Sequence, residues 1–266
     1  MLPNRVLRHR SDHRSYSYKC PRPMEEIQTS LVLLPGLLND HRLWAHQADA
    51  LSDEANVQIA DLTRDSSIAA MAHRVLDESP PQFALAALSM GGYVAFEILR
   101  QAPERVSRLA LFDTMASLDS AERAATRQGL LELANRGRFI GVSPQLMPRL
   151  IHSRWLDSQV SATVQQMAAA VGKEGFIRQQ QAIIDRPDSV PLLEDIRIPT
   201  MIVVGAEDQL TPVAEAHLMH EKIAGSRLEI LPQCGHLPPL EEPERTTALL
   251  REWLGQRPAP EFVYTL

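Results

Sequence analysis

Phe83-Ala84-Leu85-Ala86-Ala87-Leu88-Ser89-Met90-Gly91-Gly92 is the stretch whose reading decides the fold. Six apolar residues in a row, without polar alternation, read as a strand covered on both faces. The run ends at Ser89, and helical spacing starts at once through Val94, Ala95, Ile98 and Leu99 until Pro103. A strand that turns directly into a helix needs small residues two positions either side of the turn, because the two elements pass close together there. Ala87 and Gly91 meet that need, so the segment has the small-x-Ser-x-small pattern of a nucleophile elbow, with Ala in the first small position. The plainer reading is that Ser89 merely caps the helix, a role serine fills well. What lies on either side decides between the two.

Working outward, Leu31–Leu34 is an apolar run stopped by Pro35 and Gly36. The spacing predicts a helix from Arg42 to Leu51, a short strand over Val57–Ala60, and a helix capped by Ser67 with Ile68, Met71, Ala72 and Val75 on one face. After the Ser89 helix, Val106–Phe112 reads as another strand, ending at Asp113. Strands over Thr200–Val204 and Arg227–Leu231 follow later, with helices over Pro212–Ile223, where Pro212 suits a first turn, and from Pro243 past Trp253. Short apolar runs alternating with helical periods indicate an α/β fold whose central sheet is mostly parallel and flanked by helices. From Leu118 to Ser189 only helical patterns occur, which reads as an inserted helical cap. The expected organisation is an N-terminal extension over 1–30, a core made of 31–117 and 190–256, a cap over 118–189, and a C-terminal tail over 257–266.

Composition narrows the function. Hydrophobic residues make up 44% and charged residues 23% of 266, ordinary values for a globular chain with a large core. A net charge of −6 argues against nucleic acid as partner, since phosphate binding uses clustered Lys and Arg. No apolar run approaches the roughly 20 residues of a membrane span. The first twenty residues are basic and polar and lack the apolar stretch of a secretory signal, although their Arg and Ser content has some likeness to an organelle transit peptide. His9, His13 and Cys20 match no metal-site spacing. Two cysteines, Cys20 and Cys234, imply no disulfide framework, and a reducing cytoplasm is the expected compartment.

The partners that Ser89 would need come downstream in the order acid, then histidine. Asp208 follows the Thr200–Val204 strand in GAEDQLTP, and His236 follows the last strand in LPQCGHLPPLEEPE. Alone, each reads as a polar loop residue. At strand ends in this order, they suit a triad in which His236 takes the Ser89 proton and Asp208 orients His236. Asp113 is a rival acid, also just after a strand. Asp61 comes too early in the chain order. The oxyanion of an acyl-transfer intermediate needs backbone donors, and the N–H groups of Met90 and Leu37 are the candidates, with Gly36 allowing close approach.

Taken together, LVLLPGLLND, ALSMGGYVAFEILRQAPERVSRLALFDT, PTMIVVGAEDQLTP and LPQCGHLPPLEEPE resemble the α/β-hydrolase superfamily, in its group of serine esterases, lactonases and related hydrolases with a helical cap. The resemblance runs from Leu31 to Trp253. It implies a small-molecule ester-like substrate, a metal-free mechanism and no organic cofactor. Two features depart from the pattern: Pro35 stands where many relatives have His, and the loop ADLTRDSSIAA is short, which would leave the pocket more open on that side. A carboxylic ester is the default substrate. Lactones and thioesters come next, and carbon–carbon cleavage or perhydrolysis on the same scaffold is a further reading, with a ligand-binding receptor as the non-enzymatic one. In the cap, Met147, Leu150, Ile151, Trp155, Met167 and Phe176 read mainly as internal packing. Arg178 and Arg186 could hold a substrate carboxylate, but lone arginines are more often on solvated faces.

Overall fold

The computed structural model describes residues 28–255. Residues 1–27 of the expected extension over 1–30, with His9, His13 and Cys20, and the tail over 257–266 lie outside them, while Thr29 and Ser30 belong to the first strand.

Six strands form one sheet: β1 (Thr29–Leu34), β2 (Ala55–Ile59), β3 (Phe83–Leu88), β4 (Val106–Phe112), β5 (Thr200–Gly205) and β6 (Arg227–Leu231). Their order is β2-β1-β3-β4-β5-β6 and every pairing is parallel. Parallel strands need crossovers, and helices supply them. These are α1 (Ala45–Ala50), α2 (Ile68–Glu78), α3 (Met90–Gln101), α4 (Ala121–Asn135), α5 (Met147–Leu150), α6 (Gln159–Ile184) and α7 (Val213–Lys222), and after the last strand come α8 (Pro238–Glu241) and α9 (Pro243–Gly255). The Arg42–Leu51 expectation is met by a 3-10 turn over His41–Trp44 that runs into α1. Pro212 stands at the N-cap of α7 rather than inside its first turn.

Side chains alternate across each strand, and so build two cores. Val32, Leu34, Leu85, Ala87, Leu109, Leu111, Ile202 and Val204 pack with α2, α3 and α7 on one face. Leu31, Leu33, Ala84, Ala86, Leu88, Ala110, Phe112, Met201 and Val203 pack on the other, with Trp44, Leu249 and Trp253. Phe83–Leu88 is buried throughout, as expected of a strand inside the sheet. Trp44 meets Phe112 edge-on at 5.4 Å, an arrangement worth about 0.5–1.5 kcal/mol beyond area burial. Its indole N–H donates to Leu34 O at 3.1 Å and so ties down the end of β1. Ser67 accepts the Ala70 N–H, a cap that stabilises α2 by about 1 kcal/mol.

Between β4 and β5 the described chain forms no strand; α4, α5 and α6 occupy this segment. Met147, Ile151, Met167 and Phe176 are buried, the first three against the second core. Arg186 departs from the solvated-face expectation. It is buried, ion-paired with Asp119 at 3.2 Å, and stacked 4.4 Å over the Tyr93 ring. Asp119 precedes α4 and Arg186 follows α6, so the pair ties the two ends of the helical segment together.

Candidate active site

β3 delivers Ser89 to the C-terminal edge of the sheet, where open parallel sheets gather their functional groups. The turn is tight enough to leave Ser89 at φ 53°, ψ −116°, a conformation that costs of order 1–3 kcal/mol and survives only when its surroundings impose it. They do. The Ser89 N–H donates to Phe112 O at 3.0 Å, and its carbonyl accepts from Gly92 N at 2.9 Å and from Thr114 Oγ1 at 2.7 Å. A side chain at position 91 would put its Cβ 2.7 Å from Leu34 O and 2.8 Å from Pro35 O, so the crossing of α3 over the β1 loop admits only glycine.

His236 comes from the loop after β6 and Asp208 from the loop after β5. His236 Nε2 lies 2.9 Å from Ser89 Oγ, and His236 Nδ1 lies 2.8 Å from Asp208 Oδ2. A carboxylate only accepts, so Nδ1 carries the proton and Nε2 is left to accept from the serine. Both partners are buried, with His236 at 3% and Asp208 at 7% exposure. Asp208 Oδ1 also accepts from the N–H groups of Leu210 (2.7 Å) and Thr211 (3.2 Å), and Oδ2 accepts from Thr211 Oγ1 (2.5 Å). Burial pushes the Asp208 carboxyl up, but the His236 charge and these donors outweigh it and hold it below the ordinary value.

The loop bearing His236 is held from two sides. Glu241 accepts the N–H of Gly235 and of Leu237, each at 2.9 Å, and that of His152 at 2.8 Å. His236 N–H donates to Leu150 O at 2.9 Å. Residues 150–152 of the helical segment therefore clamp the histidine loop. Burial raises the Glu241 carboxyl despite its three donors. Cys234 is buried in the same loop, and desolvation pushes its thiol far up, which leaves it unreactive.

On the opposite side, Gly36 packs against Ser89: a Cβ there would sit 3.2 Å from Ser89 Cβ. Leu38 is left-handed at φ 59°, and its N–H donates to Gln179 Oε1 at 3.0 Å, while Gln179 Nε2 donates to Leu62 O at 3.2 Å. The N–H groups of Leu37 and Met90 have no acceptor among the described residues. A cavity of about 330 Å³ beside this loop is lined by Pro35, Asn39, Asp61, Leu62, Thr63 and Val171, on the side where the loop is short.

Asp113 does not reach the histidine as an orienting acid. Its Oδ1 accepts from Gly205 N at 2.8 Å, and its other oxygen finds no hydrogen-bond partner among the described residues. Asp113, Asp208 and His236 each bring one ligand-type atom within 4.8 Å of the others, yet the His236 nitrogens are engaged by Asp208 and Ser89. Arg178 does not stand free either: its Nε donates to Thr63 O. Thr211, Glu241, Gln179 and Thr114 were given no role from sequence. Only Thr211, three residues after Asp208 in a turn, has a local pattern that could have marked it.

Residues 29–243 match the alpha/beta hydrolase fold family. The chain belongs to it. Similar α/β hydrolases include a thermophilic esterase from Thermogutta terrifontis in a malate-bound structure. It is 31% identical, with a TM-score of 0.76 over 85% of this chain and 89% of that one. A pimeloyl-acyl-carrier-protein methyl ester esterase of Nitrosomonas europaea is 27% identical over 81% of this chain and 91% of its own. The 3-oxoadipate enol-lactonase 2 of Acinetobacter baylyi is 28% identical over 62% of this chain and 60% of its own. Within the α/β-hydrolase fold the six parallel strands supply the sheet, and the three strand-end loops supply Ser89, Asp208 and His236. No helix among the described residues is long and apolar enough to cross a membrane.

Proposed function

We propose that this protein is a serine hydrolase that cleaves a carboxylic ester of a small molecule through an acyl-enzyme. The observation that carries this reading is the unbroken hydrogen-bonded line Ser89 Oγ–His236 Nε2, His236 Nδ1–Asp208 Oδ2, at 2.9 and 2.8 Å. In the proposed mechanism Ser89 Oγ attacks the ester carbonyl as His236 Nε2 removes its proton. The oxyanion is received by the N–H groups of Met90 and Leu37, donors near Ser89 that have no acceptor among the described residues. Met90 is the first residue of α3, so the helix N-terminus adds favourable field. Collapse expels the alcohol, which takes the proton from His236. Water then attacks the acyl carbonyl, giving its proton to His236, and release of the acid restores Ser89. These steps call on no metal or organic cofactor.

In this reading 31–117 and 190–256 are the catalytic core and 118–189 is a cap over the substrate. The clamp of residues 150–152 on the histidine loop and of Gln179 on the Leu38 turn supports the cap assignment. A cytoplasmic setting fits a chain whose Cys234 is buried and unpaired. The esterase relatives favour a carboxylic ester. The likeness to an enol-lactonase makes a lactone the second reading.

The test is hydrolysis of p-nitrophenyl esters of increasing acyl length by the wild type and by Ser89→Ala. The expected loss in Ser89→Ala is of order 10⁶-fold in kcat with the fold retained. Near-normal turnover by the variant would remove Ser89 from the mechanism. A wild type inert on every ester but active on a lactone would move the substrate class.

A further inference from the structure

Asp113 follows β4 directly, takes a left-handed backbone (φ 42°) and is 1% exposed. Its Oδ1 is satisfied by the Gly205 N–H, while Oδ2 is buried with no hydrogen-bond partner among the described residues. It shares a cluster no wider than 4.8 Å with Asp208 and His236. A carboxylate oxygen without any donor is costly in a protein interior, and two carboxylates this close do not both ionise unless a cation stands between them. Asp208 accepts four donors, His236 included. Asp113 accepts one. The other titratable groups facing Asp113 are Glu241 from α8 and Cys234 from the His236 loop, and neither brings positive charge. His236 is the base of the cluster, and it is committed to Asp208.

We propose that Asp113 is a second, proton-bearing carboxyl of this site, a neutral acid set against the Asp208 carboxylate where it acts as a positioning residue for the Asp208–His236 pair. Burial first, and the Asp208 charge after it, push the Asp113 carboxyl well above the usual carboxylate range, with the Gly205 N–H opposing. A proton on Oδ2 removes the unpaired charge that this atom would otherwise bury. It also gives Asp113 a donor toward the Asp208 carboxylate, so that a second acid supports Asp208 without repelling it. The positioning half of the proposal rests on the serine-hydrolase reading; the protonation half does not.

Three measurements on the full chain test it. At neutral pH, difference infrared spectroscopy between wild type and Asp113→Asn should show the carbonyl stretch of a protonated carboxylic acid in wild type only. Folding must keep a proton on Asp113 that the unfolded chain releases above its ordinary value. Stability of wild type therefore falls as pH rises from about 4, whereas Asp113→Asn is spared this, so its relative melting temperature should climb across that range. In ester hydrolysis, Asp113→Ala should lose about tenfold in kcat at unchanged KM, and Asp113→Asn, which keeps a neutral donor, should recover part of it. The acid limb of the pH–rate profile should stay in place in Asp113→Asn.

Absence of the infrared band, or a stability difference constant in pH, would overturn the protonation. So would an acid limb displaced about one pH unit downward, the mark of a lost negative charge beside His236. If Ser89→Ala retained full turnover, the positioning half would fall with the serine-hydrolase reading, and the infrared and stability results would still decide the protonation.

Discussion

Asp208 shows how much depends on a single side chain. Its four donors leave it one chemical state, ionised, and one orientation, with Oδ2 on His236 Nδ1. An amide in its place could present N–H to the imidazole and force the tautomer that cannot accept from Ser89. Asp208→Asn is therefore expected to lower kcat about 10⁴-fold while circular dichroism stays native. A loss of only a few-fold would mean that another group orients His236. The pH profile follows from the same line of atoms. Only neutral imidazole can take the serine proton, so activity should decline in acid, and a flat profile from acid to neutral pH would contradict the general-base role. At this scale the sequence is eloquent where a residue sits in a local pattern. Ser89 stands between small residues at a strand end, and Asp208 and His236 stand in loops that directly follow apolar runs. It is silent on Glu241, whose three backbone partners belong to Gly235, Leu237 and His152 and meet only when the chain has closed.

Phe83–Leu88 was legible because burial on both faces writes itself as an unbroken apolar run, and Val106–Phe112 and the half-buried edge strand Arg227–Leu231, which carry polar residues, also have the same bounds in sequence and structure. Edges were less so. β1 and β2 each start two residues earlier than their apolar runs, at Thr29 and Ala55, because pairing between them extends past the hydrophobic stretch. What no run or period announces is contact between elements. Gln179, wholly buried on α6, reaches back to hold the left-handed Leu38 turn after β1 and the Leu62 carbonyl after β2. If Leu37 N–H receives the oxyanion as proposed, this α6 glutamine sets its aim. Gln179→Leu should strand the Leu38 N–H and loosen the turn. It should lower kcat about tenfold, less than the about 10²–10³-fold of losing a donor outright. Affinity for a boronic-acid mimic of the tetrahedral intermediate should fall in step with kcat/KM. Unchanged affinity for the mimic would disconnect Gln179 from the oxyanion turn.

At the scale of the whole molecule, the helical segment between β4 and β5 is attached at a neck that the sequence did not foretell. Asp119 and Arg186, 67 residues apart, pair with each other while Arg127 adds a second charge to Asp119 at 2.7 Å and Arg186 donates to Ser117 O. Burial pushes the Asp119 carboxyl up; Arg186 and Arg127 outweigh it and hold the carboxyl below the ordinary value. Their side chains are 5% exposed or less in the Asp119–Arg186 pair, so removing one partner leaves a buried charge uncompensated. Asp119→Asn should therefore destabilise the protein by about 3–5 kcal/mol at neutral pH. The sign of the pH dependence follows from the depressed carboxyl. The Asp119 contribution is complete above the unfolded value and is lost as pH falls through the lower folded one, so wild type and Asp119→Asn should converge only in strong acid. Denaturant unfolding of both proteins at neutral pH and in strong acid measures this directly. A gap that persists unchanged in strong acid would assign the loss to packing rather than charge. A single cooperative transition in the variant would show that the segment and the sheet unfold together, as the clamp of residues 150–152 and Glu241 on the histidine loop requires. Two transitions, with the helical segment melting first, would show that the neck rather than the clamp couples it to the sheet and the histidine loop.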